Sequence, residues 1–385
     1  MTDNRTIVEV HILQTTAPGN INRDDTGSPK TVVYGGTTRA RVSSQAWKRP
    51  TRQMFRSLLD PHDLGVRTKR VVEVLVRRIL EKDPSLDRDA VIEAAKEVLS
   101  TGAGIKLTAP RGKKDSDNGN RLDQSSYLLF LGNRQYDRLA DIAIQAMESG
   151  DVAGFVKSAK KDIKKIVADD RSIDVALFGR MVADDTDLNV DAAAQVAHAI
   201  SVQTVDPESD FFTAVDDVKQ DSDEEGDSGA AMLGEIEFNS ATFYRYANVD
   251  ANRLEDTLGD SHATAKAVRC FVQAFVESMP QGKITTFAHA TLPELVVVNV
   301  RDTQAVNLVG AFERPVHPDY VENATKALVA REKEFDAAYG ISPVKTWVVR
   351  IGDDTEAAEQ LAEPSSIRDV LDGVEGLVDS RLTRE

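Results

Sequence analysis

The apolar and polar positions along the chain predict strands and helices in mixed order. Alternating or β-branched segments predict strands at 6–13, 40–42, 172–181, 197–205, 240–249, 294–300 and 345–351. Apolar positions three and four residues apart predict helices at 44–59, 66–82, 86–100, 135–148, 152–168, 262–279, 317–338 and 365–382. The mixture predicts an α+β fold: a ferredoxin-like sheet with helices on one face, interrupted by helical and hairpin insertions.

Three segments interrupt this pattern. Residues 14–29 are rich in Pro, Gly, Asn and Asp and predict a loop longer than the connection requires, which favours a functional role. Residues 101–124 combine glycine, proline and charge and predict a surface loop. Residues 206–237 begin and end with strand-like residues around an acidic tract, which predicts a protruding hairpin.

Composition excludes several classes of protein. No window is apolar enough to cross a bilayer, and the N-terminus lacks a charged leader followed by an apolar core, so we expect no membrane partner and a cytoplasmic location. The single cysteine, Cys270, excludes an internal disulfide framework and multi-cysteine zinc sites. The six histidines show no metal-ligand spacing, and no GxxxxGK[ST] phosphate loop occurs. We expect neither a metal nor a cofactor.

The formal net charge of −16 argues against a nucleic-acid partner, but the charges are unevenly distributed. Residues 26–59 carry seven lysines and arginines and no acidic residue. Residues 206–227 carry ten acidic residues and one lysine. Because a partner meets a local surface and not the total charge, the basic segment remains a candidate for binding a polyanion.

The basic segment predicts a helix with two different faces. At 100° per residue, one arc of about 100° holds Gln45, Lys48, Arg49, Arg52 and Arg56, and the opposite side holds Ala46, Trp47, Pro50, Met54 and Leu58. Pro50 predicts a kink or an interruption, because proline removes one helical hydrogen bond.

The residues before this helix extend the cationic surface. Arg39 and Arg41 lie two apart on the preceding strand and are predicted to project from the same side. Ser43 and Ser44 lie at the helix N-terminus, where unpaired N–H groups favour an anion. An ordinary solvated helix face is the alternative, but such faces usually mix both signs of charge. The pattern therefore favours a track for successive phosphates.

Two adjacent carboxylates, Asp24 and Asp25, lie in the first loop. Together they could hold Mg²⁺ for phosphodiester cleavage, although adjacent aspartates in loops more often form turns. The sequence offers no third carboxylate at a useful spacing.

Apolar residues also occur in the predicted hairpin and after a predicted turn. Phe211 and Phe212 begin the predicted hairpin and could either pack in the core or stack on bases. Met181 follows a predicted tight turn at Gly179 and is open to the same two interpretations. The aromatic residues of FYRYANV, at 243–249, are predicted mainly to pack.

Several stretches together resemble one family, the CasC-type backbone subunit of the type I-E CRISPR Cascade complex. The stretches are NRDD (22–25), YGGxxRxRVSSQxxKRxxR (34–52), DVALFGRM (174–181), AHAI (197–200), VDxxxxFFTAVDD (205–217) and FYRYANV (243–249). The resemblance implies an RNA-recognition-motif-like palm (1–60, 172–205 and 238–385), a helical finger insertion (61–171) and a thumb β-hairpin (206–237). It also implies partnership with crRNA, target DNA, further copies in a head-to-tail filament, and the large, small, 5′-handle-end and RNA-processing subunits.

The resemblance also assigns roles to residues. Those expected at the guide RNA, with the two strand arginines included, are Arg23, Lys30, Arg39, Arg41, Ser43, Ser44, Gln45, Lys48, Arg49 and Arg52. Those expected to wedge between bases are Met181, Phe211, Phe212 and Thr213, and those expected at target DNA are Arg111, Lys113 and Lys114.

Three functional hypotheses follow. The first is a non-catalytic subunit that polymerises along crRNA and supports pairing of guide and target in antiviral defence. The second is a metal-dependent ribonuclease, as in backbone subunits of type III effectors, with Asp24 and Asp25 as ligands. The third is a scaffold that binds protein only.

Overall fold

The computed structural model describes residues 5–110, 122–169, 172–182, 186–214 and 232–383. Contacts divide the chain into two compact units. The first unit comprises Met1–Met54, Gln195–Ala251 and Val268–Glu385, and the second comprises Phe55–Ala194 and Asn252–Ala267. The second unit therefore includes 172–194 and 252–267 as well as most of the segment 61–171. The functional division into palm, finger and thumb stays a prediction.

The two longest strands, with nine residues each, pair at the centre of the main sheet. Their bounds are β1 Ile7–Thr15, β2 Thr31–Tyr34, β3 Thr37–Val42, β4 Gly65–Thr68, β5 Leu107–Thr108, β6 Gln124–Ser125, β7 Leu129–Gly132, β8 Ala194–Val196, β9 Ala199–Ser201, β10 Glu208–Ala214, β11 Met232–Phe238, β12 Thr242–Asp250, β13 Leu295–Arg301 and β14 Lys345–Arg350.

The helices agree with most of the predicted segments. Their bounds are α1 Ser44–Leu58, α2 Val71–Lys82, α3 Arg88–Glu97, α4 Asn133–Glu148, α5 Val152–Ser158, α6 Lys160–Ala168, α7 Ile173–Phe178, α8 Ala251–Leu258, α9 Ser261–Glu277, α10 Ile284–Phe287, α11 Tyr320–Tyr339 and α12 Ile367–Leu382.

The strand predicted at 172–181 is wrong, because most of this segment is helix α7. Residues Ile173–Leu177 are buried all round, so the β-branched content says little about the local backbone. Gly179 directly follows the helix with φ +77° and ψ 163°, a backbone conformation that glycine adopts readily because it has no Cβ.

The main sheet has the ferredoxin-like strand order. β1 pairs antiparallel with β12 on one side and with β13 on the other, and β9 follows β12. If β1, β9, β12 and β13 are numbered 1 to 4 in chain order, their order across the sheet is 4-1-3-2. In the chain, α1 lies between β1 and β9, and α9 lies between β12 and β13. Strand β14 extends one edge and the β3–β2 hairpin extends the other, so the predicted α+β class is confirmed.

Helices α1 and α9 pack on one face of the sheet around a buried arginine. The guanidinium carbon of Arg245, on β12, lies 3.8 Å from the ring centroid of Trp47 and 4.7 Å from that of Phe275. The guanidinium also donates hydrogen bonds to Gln14 Oε1 and to the Phe275 carbonyl. Burial lowers the pKa of Arg245 to about 9, which leaves it charged at neutral pH.

The opposite face of the sheet is also covered, whereas the sequence predicted helices on one face only. Tyr244 and Tyr246 point to this face and pack in a core with Leu328 of α11. Tyr246 donates a hydrogen bond of 3.0 Å to Glu9, whose other oxygen lies 2.6 Å from Arg301 Nε. The aromatic residues of 243–249 therefore pack, as predicted, and are not an open RNA-stacking surface.

The second unit has a separate core built mainly from α2, α3, α4 and α6. Tyr136, Leu75 and Leu99 are among its fully buried side chains. Within the described ranges of either unit, no helix is long and apolar enough to cross a membrane.

We predict that the turn between β2 and β3 tolerates alanine at one glycine and not at its neighbour. Gly35 and Gly36 both have positive φ, 59° and 79°, as a type I′ turn requires. A Cβ on Gly35 would lie 1.6 Å from the Glu313 carbonyl oxygen, whereas one on Gly36 would meet open space. Gly35→Ala should lower the free energy of unfolding by about 2–4 kcal/mol and Gly36→Ala by about 1 kcal/mol. Urea denaturation measures both, and equal losses would contradict the described packing of this turn.

Candidate nucleic-acid interface

Helix α1 begins with a capped turn that leaves its positive end accessible. Ser43 Oγ accepts the Ala46 N–H at 3.3 Å, and the Ser43 N–H donates to Asn22 Oδ1 at 2.8 Å. The first turn of α1 carries no acidic residue. The N–H groups of this turn and the helix dipole therefore favour an anion here, as the sequence predicted.

The two faces of α1 follow the predicted pattern. Trp47 and Phe55 are buried, whereas Gln45 and Arg49 are exposed and Lys48 is half-buried. Partial burial lowers the pKa of Lys48. The helix runs unbroken through Pro50, so the predicted interruption is absent. A buried face anchored by Trp47 and Phe55 can hold a helix that lacks a single hydrogen bond.

Five cations of this region form no ion pair with a carboxylate of the described residues. Arg52 has a partner, but Arg23, Lys30, Arg41, Lys48 and Arg49 form no ion pair with a carboxylate among the described residues. Because their charge is uncompensated, they can attract the phosphates of a polyanion.

Arg41 and Lys30 meet a histidine to which the sequence assigned no role. Arg41 Nη1 lies 3.2 Å from His198 Nδ1, and Arg41 Nε donates to the Thr31 carbonyl at 3.1 Å. Burial, and then the positive charges of Arg41 and Lys30, lower the pKa of His198. His198 was missed because its approach to Arg41 depends on the pairing of β3 with β9, which brings Arg41 opposite Ile200.

The predicted contact of Arg39 with RNA is wrong. Arg39 is fully buried, and its guanidinium donates to the carbonyls of Ser201, Val202, Phe312 and Glu313 at 2.9–3.2 Å. Its Nε also donates to Thr37 Oγ1 at 2.9 Å. A guanidinium with this set of acceptors ties the sheet to the segment at 312–313 and is unavailable to a ligand.

A groove lies between the first loop and α1. Its volume is about 870 Å³. Four of the predicted RNA-binding residues line it together: Arg23, Ser43, Gln45 and Arg49. Lys30 and Arg41 line a separate small recess beside Asn22. The structure thus gathers the predicted residues, Arg39 excepted, around the start of α1 and the adjoining strand.

Asp24 shapes the wall of this groove. Its Oδ1 accepts hydrogen bonds from the Thr26 N–H at 2.9 Å, the Thr26 hydroxyl at 2.7 Å and the Ser28 N–H at 3.0 Å. The side-chain hydrogen bond from Thr26 is the main cause that lowers the pKa of Asp24. This is the turn-forming interpretation of the Asp24–Asp25 pair. Nowhere in the described ranges do three His, Cys, Asp or Glu side chains form a group that could hold a metal ion.

The hairpin exposes both of its phenylalanines. β10 and β11 pair antiparallel, with Phe211 opposite Glu235 and Phe212 opposite Gly234. Phe211 is 65% exposed and Phe212 is 43% exposed, so the interpretation of this pair as core is wrong. A Cβ on Gly234 would lie 2.4 Å from the Phe212 ring, which shows that the ring lies over the glycine.

Other predicted site residues are exposed or lie beyond the described ranges. Met181 is 85% exposed, and its contact with bases stays a prediction. The Thr213 side chain and the residues predicted at target DNA, Arg111, Lys113 and Lys114, lie outside the described residues.

Comparison with known proteins identifies the family. The model of the CT1975-like protein family matches residues 8–373. The chain belongs to this family. A solved chain from a "CRISPR RNA-guided surveillance complex, pre-nicking" is 33% identical with a TM-score of 0.83, and the match covers 97% of this CT1975-like protein and 100% of that chain. A second, from a "CRISPR RNA-guided surveillance complex", is 28% identical with a TM-score of 0.73, covering 96% and 99%. No curated protein matches the chain.

We predict that Arg39 and Arg49 differ sharply in their effect on stability. Arg39→Met removes the donor from four carbonyls, three of them buried, and should lower the free energy of unfolding by about 3–5 kcal/mol. Arg49→Met changes an exposed side chain and should alter it by less than about 0.5 kcal/mol. Urea denaturation of both variants measures the difference. Similar values would contradict the assignment of Arg39 to structure and Arg49 to the surface.

Proposed function

We propose that this chain is a non-catalytic, guide-RNA-binding backbone subunit of a CRISPR surveillance complex of the Cascade type, in a type I-E system. One observation carries the proposal: the uncompensated cations around the start of α1 lie in a chain that matches chains of RNA-guided surveillance complexes over nearly its whole length. The family match supports the same assignment.

The binding surface fits a sugar–phosphate backbone. Phosphates would lie against the N–H groups at the start of α1 and beside Lys48, Arg49 and Arg52, and then pass Lys30 and Arg41. Contacts of this kind position a strand without reading its sequence. Specificity for a target would therefore come from base pairing of the guide, as in other RNA-guided systems.

The hairpin supplies a different kind of contact. Phe211 and Phe212 present exposed aromatic rings, and stacking on a base contributes about 1–3 kcal/mol. We assign these rings, with Thr213 and Met181, to separating bases along the guide. In this proposal further copies follow one another head to tail, with the other Cascade subunits and target DNA as partners in the cytoplasm. Arg111, Lys113 and Lys114 are assigned to the target DNA.

We predict that the cationic face of α1 determines the salt dependence of RNA binding. For a single strand, log K falls with log salt by about 0.7 for each phosphate contact. Replacing Lys48, Arg49 and Arg52 together by Ala should therefore reduce the slope by about 2. Fluorescence anisotropy with an unstructured RNA over a range of salt concentrations measures this slope.

The matched control removes the same number of charges elsewhere. Lys157, Lys161 and Lys164 are exposed on α5 and α6, and replacing all three by Ala should leave the slope unchanged. Equal effects of the two triple variants would show that only total charge matters. An unchanged slope in the α1 variant would remove this helix from the interface.

A further inference from the structure

A smaller groove lies on the surface of the second unit, between three of its helices. Its volume is about 380 Å³, within the range of about 300–1,000 Å³ typical of ligand pockets. One wall is a single face of α3, formed by Ala90, Glu93, Ala94 and Glu97, and the other is the corner at which α4 ends and α5 begins. None of the residues predicted to bind nucleic acid lines it. The groove is therefore not part of the candidate nucleic-acid interface.

Most of the groove is lined by small or apolar residues. Ala94 is buried, and Met147 and Val152 are half-buried. Ala90 and Ala153 are exposed. Helix axes approach to about 8 Å where the side chains between them are small, so the alanines give room for the backbone of another helix. At 1.5 Å per residue, the face of α3 that lines the groove is about 10 Å long and can contact about two turns of such a helix.

The rim of the groove is acidic. Glu93 and Glu97 lie one turn apart on α3, and the residues that line the groove include no Lys, Arg or His. Glu93 pairs with Lys96 at 2.9 Å, whereas Glu97 forms no ion pair with a cation of the described residues. Like charges four residues apart destabilise a helix slightly. A cation placed beside Glu97 would relieve this repulsion.

Hydrogen bonds hold the corner between α4 and α5 in place. Asp151 Oδ1 accepts the Gly154 N–H at 2.9 Å and so caps α5, and the Asp151 N–H donates to Ser149 Oγ at 3.2 Å. Gly150 turns the chain with φ +74°, and a Cβ on it would meet open space. The wall opposite α3 is thus formed before a ligand arrives, and a rigid site loses little conformational entropy on binding.

We propose that this groove binds a helix of a partner protein. The apolar face of that helix would lie against the alanines, and two of its Lys or Arg side chains, one turn apart, would pair with Glu93 and Glu97. The charge of the rim selects this occupant, because an acidic or wholly apolar helix would cover Glu97 without giving its carboxylate a partner. The same carboxylates repel a nucleic acid. This inference does not depend on the proposed function.

A designed peptide tests the inference. The probe is an alanine-based helix of about 16 residues, long enough to form in water, with two leucines four residues apart and, beside them, two arginines four residues apart. Fluorescence anisotropy of the labelled peptide should show saturable binding to the full chain. Ala153→Trp fills the exposed edge of the groove and should weaken binding about tenfold or more with an unchanged urea midpoint, since the side chain it replaces is exposed. Glu93→Gln/Glu97→Gln should weaken binding about fivefold, the effect expected of two exposed ion pairs.

Glu73→Gln/Glu81→Gln is the matched control, because both glutamates are exposed on α2 of the same unit and do not line the groove. It should leave the affinity unchanged. A second peptide with glutamine in place of each arginine should bind the wild type and Glu93→Gln/Glu97→Gln equally. Equal losses in the two double variants would show attraction to net charge alone and overturn the inference, as would normal binding by Ala153→Trp. Self-association of the wild type that Ala153→Trp abolishes in sedimentation would assign the groove to another copy and overturn the partner helix.

Discussion

The position of the basic helix depends on the buried guanidinium of Arg245. It lies between the rings of Trp47 and Phe275 and so joins α1 and α9 to the central strand β12. A charge removed from water is costly unless other groups solvate it, and here two ring faces and the oxygens of Gln14 and Phe275 do so. Because Trp47 is held inward by this contact, the residues on the other side of α1 must face outward. The contact between Arg245 and Trp47 in the core thus determines which side of α1 is exposed.

The distribution of charge matters more to this protein than its sum. A formal net charge of −16 repels polyanions at long range, and salt screens that repulsion within about 8–10 Å. Within that distance, a ligand meets the local cations around α1 and the recess beside Asn22. A nucleic acid is therefore attracted to the cationic surface around α1 and repelled by the acidic surface elsewhere.

Side-chain direction within one element could be predicted from periodicity, whereas contacts between elements distant in the sequence could not. The two faces of α1 and the antiparallel hairpin follow from local patterns, because side-chain direction repeats along a helix or strand. The spacing of Arg39 and Arg41 correctly puts them on one side of β3, but it cannot show that the segment at 312–313 covers only the first. The contact of His198 with Arg41 could not be predicted for the same reason, because pairing of two strands far apart in the chain brings together residues 157 positions apart. The helix at 173–178 was missed because complete burial removes the alternation that separates helix from strand.

The glycine beneath Phe212 has a consequence for how the hairpin can vary. Phe211 and Phe212 lie on opposite faces of the same strand, and only the second faces a residue without a side chain. Inserting or deleting one residue in either strand would shift the register and place Phe212 opposite a residue that carries a side chain. A single-residue insertion or deletion next to Gly234 would therefore remove the space that the Phe212 ring occupies over the glycine.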